Sequence, residues 1–289
     1  MKSVRRKEIE IVYDVAGDKS DPAMLLISGL GGQMVDWDET AVGDLVARGF
    51  RVIRFDNRDA GMSTHLSELG VPDLISIFFG KTDGLAYTLS DMAEDALAVL
   101  VDVGVEAAHV VGVSMGGMIA QRLAIDAPSA VLSLASIMST TGNRQVGTPS
   151  NEIVTMIMSA MPNGGPDPME LSKALASPGF PYDEELARAK IALHAERSPE
   201  SVGTLRQLAA VLGSTDRSEE LRRLQIPTVV IHGRDDPLIH VSGGEATAEL
   251  IPDSRFVAYE GMGHDIPRVL WPSIRDEIIQ NAQRVHKEV

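Results

Sequence analysis

The chain has 289 residues, 44% of them hydrophobic, so it can bury a large core and is not a disordered chain. Its 41 acidic and 26 basic residues give a formal net charge of −15, which would repel nucleic acid and anionic lipid surfaces, so neither is an expected partner. The sequence contains no cysteine, which excludes disulfides, thiolate nucleophiles and cysteine-bound zinc and agrees with a cytoplasmic location.

The N-terminal residues are basic, but no apolar segment of the kind found in signal peptides follows them. The run KEIEIVYD, residues 7–14, alternates charged and aliphatic residues, which predicts a first, half-exposed strand. No unbroken apolar stretch approaches the roughly 18 residues that a membrane helix needs, since LAVLVDVGV is interrupted by Asp102. We therefore expect no insertion into a membrane.

Short aliphatic runs alternate with longer amphipathic segments along most of the chain. This alternation predicts an α/β fold with a mostly parallel central sheet and helices on both faces. Strands are expected at AMLLISG, RVIRFD, AHVVGVS, LSLASIM, PTVVIHG and RFVAYEG, and a terminal helix at IRDEIIQNAQRV. Another helix is predicted over residues 88–103, with Ser90 as its N-cap and the acidic residues Asp91, Glu94 and Asp95 near its positive end.

The alternation stops between Thr140 and Arg217, where helical segments are punctuated by proline and glycine. This change predicts a helical cap over residues 140–217, inserted into a core formed by residues 1–139 and 218–289. Apolar cap residues could form the floor of an adaptable substrate site, or simply pack on the sheet; they are Ile153, Met156, Ile157, Met158 and Met161. Phe78 and Phe79 could line the entrance of that site.

A serine stands between glycines in HVVGVSMGGMIA, residues 109–120, where a predicted strand is followed by a predicted helix. The Gly-x-Ser-x-Gly spacing of residues 112–116 is typical of a sharp turn that presents a serine hydroxyl at the carboxyl end of a sheet. Bulky residues two positions from the serine would clash in such a turn, which explains both glycines. We predict that Ser114 is a nucleophile; a simple helix N-cap is the alternative.

A serine hydroxyl needs a base to take its proton and a third group to orient that base. Among the seven histidines, His264 is the best candidate, because the glycine-rich loop EGMGHDIP follows the last predicted strand. His240, after an earlier strand, is the main rival. His65 follows a glycine-containing turn and could line a pocket. The other four histidines are more simply structural or solvated; they are His109, His194, His232 and His286.

The orienting acid is expected in the loop after the preceding strand, where the chain reads IHGRDDPLIH. Asp236 directly precedes Pro237, which favours an extended conformation that suits a side chain projecting inward. Asp235 would then point toward solvent. Asp265 adjoins His264, but neighbouring residues in a loop rarely face each other. We therefore predict that Asp236 orients the base.

The oxyanion of an acyl-transfer transition state needs hydrogen-bond donors, and backbone N–H groups are sufficient. One is expected on Met115, directly after the nucleophile and at a helix N-terminus. The other is expected on Leu30, in the glycine-rich loop LLISGLGGQ. A bare turn is the alternative explanation for those glycines.

The order Ser114, Asp236, His264 resembles the α/β-hydrolase superfamily, and the resemblance extends over roughly residues 20–65, 88–138 and 226–285. The segment RFDNRDAGMS is similar to the D-x-R-x-x-G-x-S turn of one large branch, with Asp56, Arg58, Gly61 and Ser63 at its defined positions. Within that branch, DNRDAGMST, AHVVGVSMG and GMGHDIP are similar to esterases of the aclacinomycin methylesterase type. Two positions depart from the pattern, since Ser28 replaces the usual histidine before the oxyanion loop and Asp59 stands where glycine is commoner.

The resemblance implies hydrolysis of carboxylic esters without a cofactor. Together with the predicted serine nucleophile and the apolar cap residues, this predicts a serine hydrolase that cleaves esters of hydrophobic small molecules through an acyl-enzyme, and no metal is expected. The same three residues could serve lactone, thioester, amide or carbon–carbon bond hydrolysis, or acyl transfer. A ligand receptor without catalytic activity is an alternative from a different class. The natural substrate and the oligomeric state are not predicted by these patterns.

Overall fold

The computed structural model describes residues 1–160, 165–198 and 202–286. Its strands are β1 (Lys2–Arg6), β2 (Ile9–Ala16), β3 (Ala23–Ile27), β4 (Arg51–Phe55), β5 (Ala108–Val113), β6 (Val131–Ile137), β7 (Thr228–Gly233) and β8 (Arg255–Tyr259). They form one eight-stranded sheet in the order β1-β2-β4-β3-β5-β6-β7-β8. The pairs β1/β2 and β2/β4 are antiparallel, and all other neighbours are parallel.

Helices cover both faces of the sheet. They are α1 (Glu39–Ala47), α2 (Leu74–Phe78), α3 (Leu89–Val103), α4 (Met115–Asp126), α5 (Asn151–Ala160), α6 (Pro168–Leu175), α7 (Glu184–Arg197), α8 (Val202–Leu212), α9 (Ser218–Leu221), α10 (Ser242–Leu250) and α11 (Trp271–Ala282). Buried side chains of α3 and α4 form one apolar core cluster, and those of α1 and α11 form the other. The predicted fold class is therefore confirmed.

One local prediction is incomplete and one is wrong. The half-exposed strand predicted over residues 7–14 is present as β2, but it is the second strand of a hairpin, because a turn at Lys7, with φ of 55°, joins it to β1. The polar, exposed side chains of β1 lack the apolar signal of a strand. Ser90 is not the N-cap of α3; Thr88 is, and its hydroxyl accepts the Asp91 N–H in a capping box.

The segment of residues 140–217, here called the cap segment, lies between β6 and β7 and contains α5, α6, α7 and α8. Within its described residues there is no strand. On α5, Ile153 is buried, Met156 and Ile157 are partly exposed, and Met158 is 56% exposed. Met161 lies outside the described residues. Phe78 and Phe79 are both exposed and pack edge to face.

The chain reverses its direction of travel across the sheet at β3, since β4 lies on one side of it and β5 on the other. In open α/β sheets, ligands bind at the carboxyl ends of the strands at such a point. Here β3 leads into the glycine-rich loop and β5 leads into Ser114. Among the described residues, no helix combines the length and apolar character needed to cross a bilayer.

Candidate active site

Ser114 occupies a strained turn between β5 and α4, with φ of 57° and ψ of −121°. A β-carbon added to Gly112 would lie 2.1 Å from the Gly116 carbonyl oxygen, and one added to Gly116 would lie 2.2 Å from the Ile27 carbonyl oxygen. No side chain fits at either distance, so both glycines are required by the close approach of backbone segments. The turn therefore projects the hydroxyl away from the sheet.

The structure brings together the three side chains that the sequence singled out. His264 Nε2 lies 3.0 Å from Ser114 Oγ, and His264 Nδ1 lies 2.7 Å from Asp236 Oδ2. The Asp236 side chain is fully buried and that of His264 is 7% exposed. The hydroxyl, the imidazole and the carboxylate thus form one continuous hydrogen-bonded chain, largely shielded from water.

Asp236 is fixed by more than its contact with the imidazole. Its Oδ1 accepts the N–H groups of Leu238 at 2.9 Å and Ile239 at 2.8 Å. Its Oδ2 also lies 3.4 Å from Nε2 of the fully buried His232. Burial alone would raise the pKa of Asp236, but the hydrogen bonds from His232 and His264 outweigh burial and lower the pKa to about 2.

The competing candidates lie elsewhere. Asp235 is exposed, and its Oδ2 accepts the Gly261 N–H at 2.8 Å. His240 is exposed, with Nδ1 2.9 Å from the Ser242 hydroxyl. Asp265 accepts a hydrogen bond from the hydroxyl of Ser177.

The remaining histidines also have contacts of their own. His65 Nε2 lies 2.9 Å from the Gly61 carbonyl oxygen, His109 Nδ1 lies 2.9 Å from the Ser133 hydroxyl, and His194 Nε2 lies 2.9 Å from a carboxylate oxygen of Asp36. His232 Nε2 lies 2.8 Å from the Ile239 carbonyl oxygen. The side chain of His286 lies outside the described part of the structure.

The loop after β3 passes directly beside the serine. A β-carbon on Gly29 would lie 3.2 Å from the β-carbon of Ser114, and Leu30 is the next residue of this loop. Met115 is the first residue of α4, where N–H groups have no acceptor within the helix. Ser28, which replaces the family's usual histidine, donates from its hydroxyl to the Gln33 carbonyl oxygen at 3.0 Å and so closes the loop.

The D-x-R-x-x-G-x-S turn is structural. Asp56 is buried and accepts the N–H groups of Met34 and Met62, at 2.8 and 2.9 Å, so it joins the turn to the loop after β3. Arg58 forms a buried two-point ion pair with Asp95 of α3, with nitrogen–oxygen distances of 2.6 and 2.8 Å. Asp95, one of the acidic residues near the start of α3, is therefore the ion-pair partner of Arg58 in the core and not a catalytic acid.

Asp59, the other departure from the family pattern, has φ of 64°. This backbone conformation favours glycine, and asparagine or aspartate tolerates it better than most other residues. The Asp59 carboxylate accepts two hydrogen bonds from Arg206 of α8, at 2.7 and 2.9 Å, and one from the Tyr87 hydroxyl at 2.8 Å. An aspartate here therefore connects the cap segment to the core by an ion pair that glycine could not form.

The cap segment also contacts the loop that carries His264. The His264 N–H donates to the Leu175 carbonyl oxygen at 2.9 Å, and the Gly263 N–H donates to the Ser177 hydroxyl at 2.8 Å. Ser177 in turn donates to Asp265, whose pKa burial raises despite that hydrogen bond. Sequence reasoning missed this contact because nothing local to Ser177 distinguishes it from a loop serine.

Comparison with known proteins identifies the fold family of this chain. Residues 22–267 match the family described as the alpha/beta hydrolase fold. The sequence is 29% identical to rhodomycin D methylesterase of Streptomyces sp. strain C5, covering 91% of this chain and 92% of the relative. Among solved structures, an esterase from Rhodococcus sp. ECU1013 is 26% identical with a TM-score of 0.71, covering 96% of this chain and 97% of that one. A hydrolase from Pseudomonas aeruginosa PA01, 24% identical, shares the fold with a TM-score of 0.75 over 98% of this chain and 97% of that one. The chain therefore belongs to the alpha/beta hydrolase fold family.

Proposed function

We propose that the protein is a serine hydrolase that cleaves carboxylic esters of hydrophobic small molecules. The observation that carries the proposal is the chain of hydrogen-bond distances from Ser114 Oγ to His264 Nε2, 3.0 Å, and from His264 Nδ1 to Asp236 Oδ2, 2.7 Å. A serine at a strained strand-to-helix turn, with a base in reach and a buried carboxylate behind that base, has the geometry of an activated nucleophile.

In the proposed reaction, Ser114 Oγ attacks the ester carbonyl carbon while His264 Nε2 takes its proton. The carbonyl oxygen becomes an oxyanion, which the N–H groups of Leu30 and Met115 stabilise. The intermediate collapses to an acyl-enzyme as His264 gives its proton to the departing alcohol. Water then attacks the acyl group by the same route, and Asp236 stabilises the imidazolium in both halves of the reaction.

The class of substrate rests on the relatives and on the cap segment. Two relatives from the comparison are named a methylesterase and an esterase, which supports an ester as the scissile group. On α5, Ile153 is buried and Met156 is half-buried, so the cap contributes apolar and adaptable side chains. We infer that the acyl or alcohol group is hydrophobic.

A hydrolysis screen tests the proposal. Wild-type protein and Ser114→Ala would be assayed on p-nitrophenyl esters of increasing chain length, on lactones and on thioesters. We expect the highest kcat/KM on an apolar ester, and only a small residual rate of hydrolysis by the variant. A preference for a strongly cationic or highly polar ester would contradict the apolar site, and a preference for a lactone or thioester would reassign the reaction.

Labelling by a fluorophosphonate probe separates an enzyme from a ligand receptor. The probe reacts with an activated serine, so we expect covalent labelling of the wild-type protein that disappears in Ser114→Ala. Absence of labelling in the wild-type protein would reject the nucleophile assignment.

The pH dependence of kcat/KM should report one ionisation on the acid side. The pKa of Asp236 is lowered to about 2, so this carboxylate stays ionised as the pH falls from 8 to 4. Asp236 therefore adds no ionisation to the acid limb, and log kcat/KM should fall there with a slope no steeper than about one. A slope of two would contradict this result and would point to a second required carboxylate, for which Asp265 with its raised pKa is the candidate.

A further inference from the structure

The cap segment supports the loop after β3, residues 30–34, here called the oxyanion loop. The Gly31 N–H donates to Oε1 of Gln207, at 2.8 Å, across 176 positions of sequence. Gln207 lies on α8 and is completely buried. Gly31 is partly exposed, but the acceptor side chain is removed from water, and a hydrogen bond in such a low-dielectric environment is stronger than one in water.

The other end of the Gln207 amide is fixed as well. Its Nε2 donates to the Arg58 carbonyl oxygen at 2.8 Å. One partner is an N–H and the other a carbonyl, so the amide can satisfy both only in this orientation. Gln207 is therefore a rigid bridge between α8, the oxyanion loop and the turn that follows β4.

A second contact with the cap segment holds the far side of the oxyanion loop. Gln33 Nε2 donates to the His194 carbonyl oxygen at 3.0 Å, and Gln33 Oε1 accepts from Arg197 Nε at 2.9 Å. Arg197 also forms an ion pair with the buried Asp56 at 2.6 Å. The oxyanion loop is thus attached to α7 at one side and to α8 at the other.

We propose that Gln207 is a positioning residue, which fixes the backbone of the oxyanion loop so that the Leu30 N–H points at the developing oxyanion. The Gly31 N–H belongs to the peptide group directly after Leu30, so holding it restricts the rotation that would turn the Leu30 N–H away. Loss of an oxyanion donor costs roughly 10²–10³ in kcat, and an error of about 1 Å in position costs about 10². This inference rests on the proposed function of the same site.

The variant Gln207→Met tests the inference, because methionine has similar length but cannot bridge the two backbone groups. We expect kcat to fall about 10- to 100-fold, with KM within about two-fold, since the donor acts mainly on the transition state. The second-order rate of fluorophosphonate labelling should fall by a similar factor, because the probe also places an oxygen against these donors.

Gln121→Met is the matched control. Gln121 is likewise fully buried, and its amide bridges Arg217 Nε at 3.1 Å and the Ser136 hydroxyl at 3.3 Å, neither of which belongs to the oxyanion loop. The variant Gln121→Met should lower the melting temperature at least as much as Gln207→Met, because it removes one hydrogen-bond partner of the buried Arg217 guanidinium. Its kcat and its labelling rate should stay near those of the wild-type protein.

The outcomes separate this inference from the proposed function. Failure to label the wild-type protein would reject the function and, with it, the inference. A labelled wild-type protein together with wild-type kcat in Gln207→Met would overturn the inference alone, and so would an equal loss of kcat in both methionine variants. If Gln207→Met does not fold, Gln207→Asn, whose amide is one methylene too short to bridge both groups, is expected to show the same split between kcat and KM.

Discussion

Replacing Asp236 with asparagine is expected to lower kcat by about 10⁴-fold, with a much smaller effect on KM. The Oδ1 contacts to Leu238 and Ile239 need only an acceptor, which asparagine retains, so the loop after β7 should keep its shape. An amide in place of Oδ2 would donate to His264 Nδ1 and leave the proton on Nε2. That is the wrong tautomer for accepting a proton from Ser114.

The adjacent aspartate provides the control for this experiment. Asp235→Asn removes the same charge one position earlier in the chain, but its side chain is exposed and contacts Gly261 rather than the imidazole. Steady-state kinetics should give a kcat within about two-fold of wild type. The assignment of the acid fails if Asp236→Asn turns over substrate at a near wild-type rate, or if Asp235→Asn is equally impaired.

A double variant shows whether the three residues act as one unit. In a Ser114→Ala background the base has no hydroxyl to deprotonate, so adding Asp236→Asn should cause little further loss of residual hydrolysis. Additive losses would instead mean that Asp236 supports catalysis through a path that does not include Ser114.

The predictable parts of this protein were those encoded within a short stretch of sequence. The turn around Ser114 is recognisable because the glycines at 112 and 116 satisfy a steric need within five residues. The inner strands β3, β5, β6 and β7 are recognisable because they are almost entirely buried and mostly aliphatic. β1 has exposed, charged side chains and no such signal, which is why its strand was missed.

The parts that escaped prediction depend on pairs of residues far apart in the chain. Gln207 and Gly31 are 176 positions apart, and nothing in the local pattern around α8 indicates that its glutamine faces a loop near the N-terminus. The sequence shows that Asp59 departs from the family pattern. Why an aspartate stands there is explained only by its positive φ together with its ion pair with Arg206. Contacts between the cap segment and the core are therefore where the structure adds most to the sequence.

Arg206→Met is expected to destabilise the protein by about 3–5 kcal/mol, the largest stability effect that we predict. The side chains of Arg206 and Asp59 are 1% and 0% exposed, so removing the guanidinium leaves a carboxylate that water cannot reach. The variant also loses the bond from Arg206 Nη1 to the Gly70 carbonyl oxygen, 2.9 Å. Urea unfolding at pH 7, followed by tryptophan fluorescence, measures the change.

An exposed ion pair on α7, between Arg188 and Glu184, provides the comparison for a solvent-accessible contact. Arg188 lies 2.6 Å from Glu184, as close as the buried pair, but these side chains are 66% and 45% exposed. Solvent screening leaves such pairs with little net energy, so Arg188→Met should change the free energy of unfolding by less than about 0.5 kcal/mol. A loss comparable to that of Arg206→Met would contradict the role assigned to burial.

Neutralising the Asp59 carboxylate should recover part of the stability that Arg206→Met loses. In the double variant Arg206→Met with Asp59→Asn, the amide oxygen can still accept from Tyr87 or Leu66, and asparagine tolerates the positive φ at this position. No buried charge remains, so the double variant should be more stable than Arg206→Met alone. If the double variant is no more stable than Arg206→Met, the unpaired charge of Asp59 does not explain the loss of stability. The loss would then come from the missing contacts of the long arginine side chain.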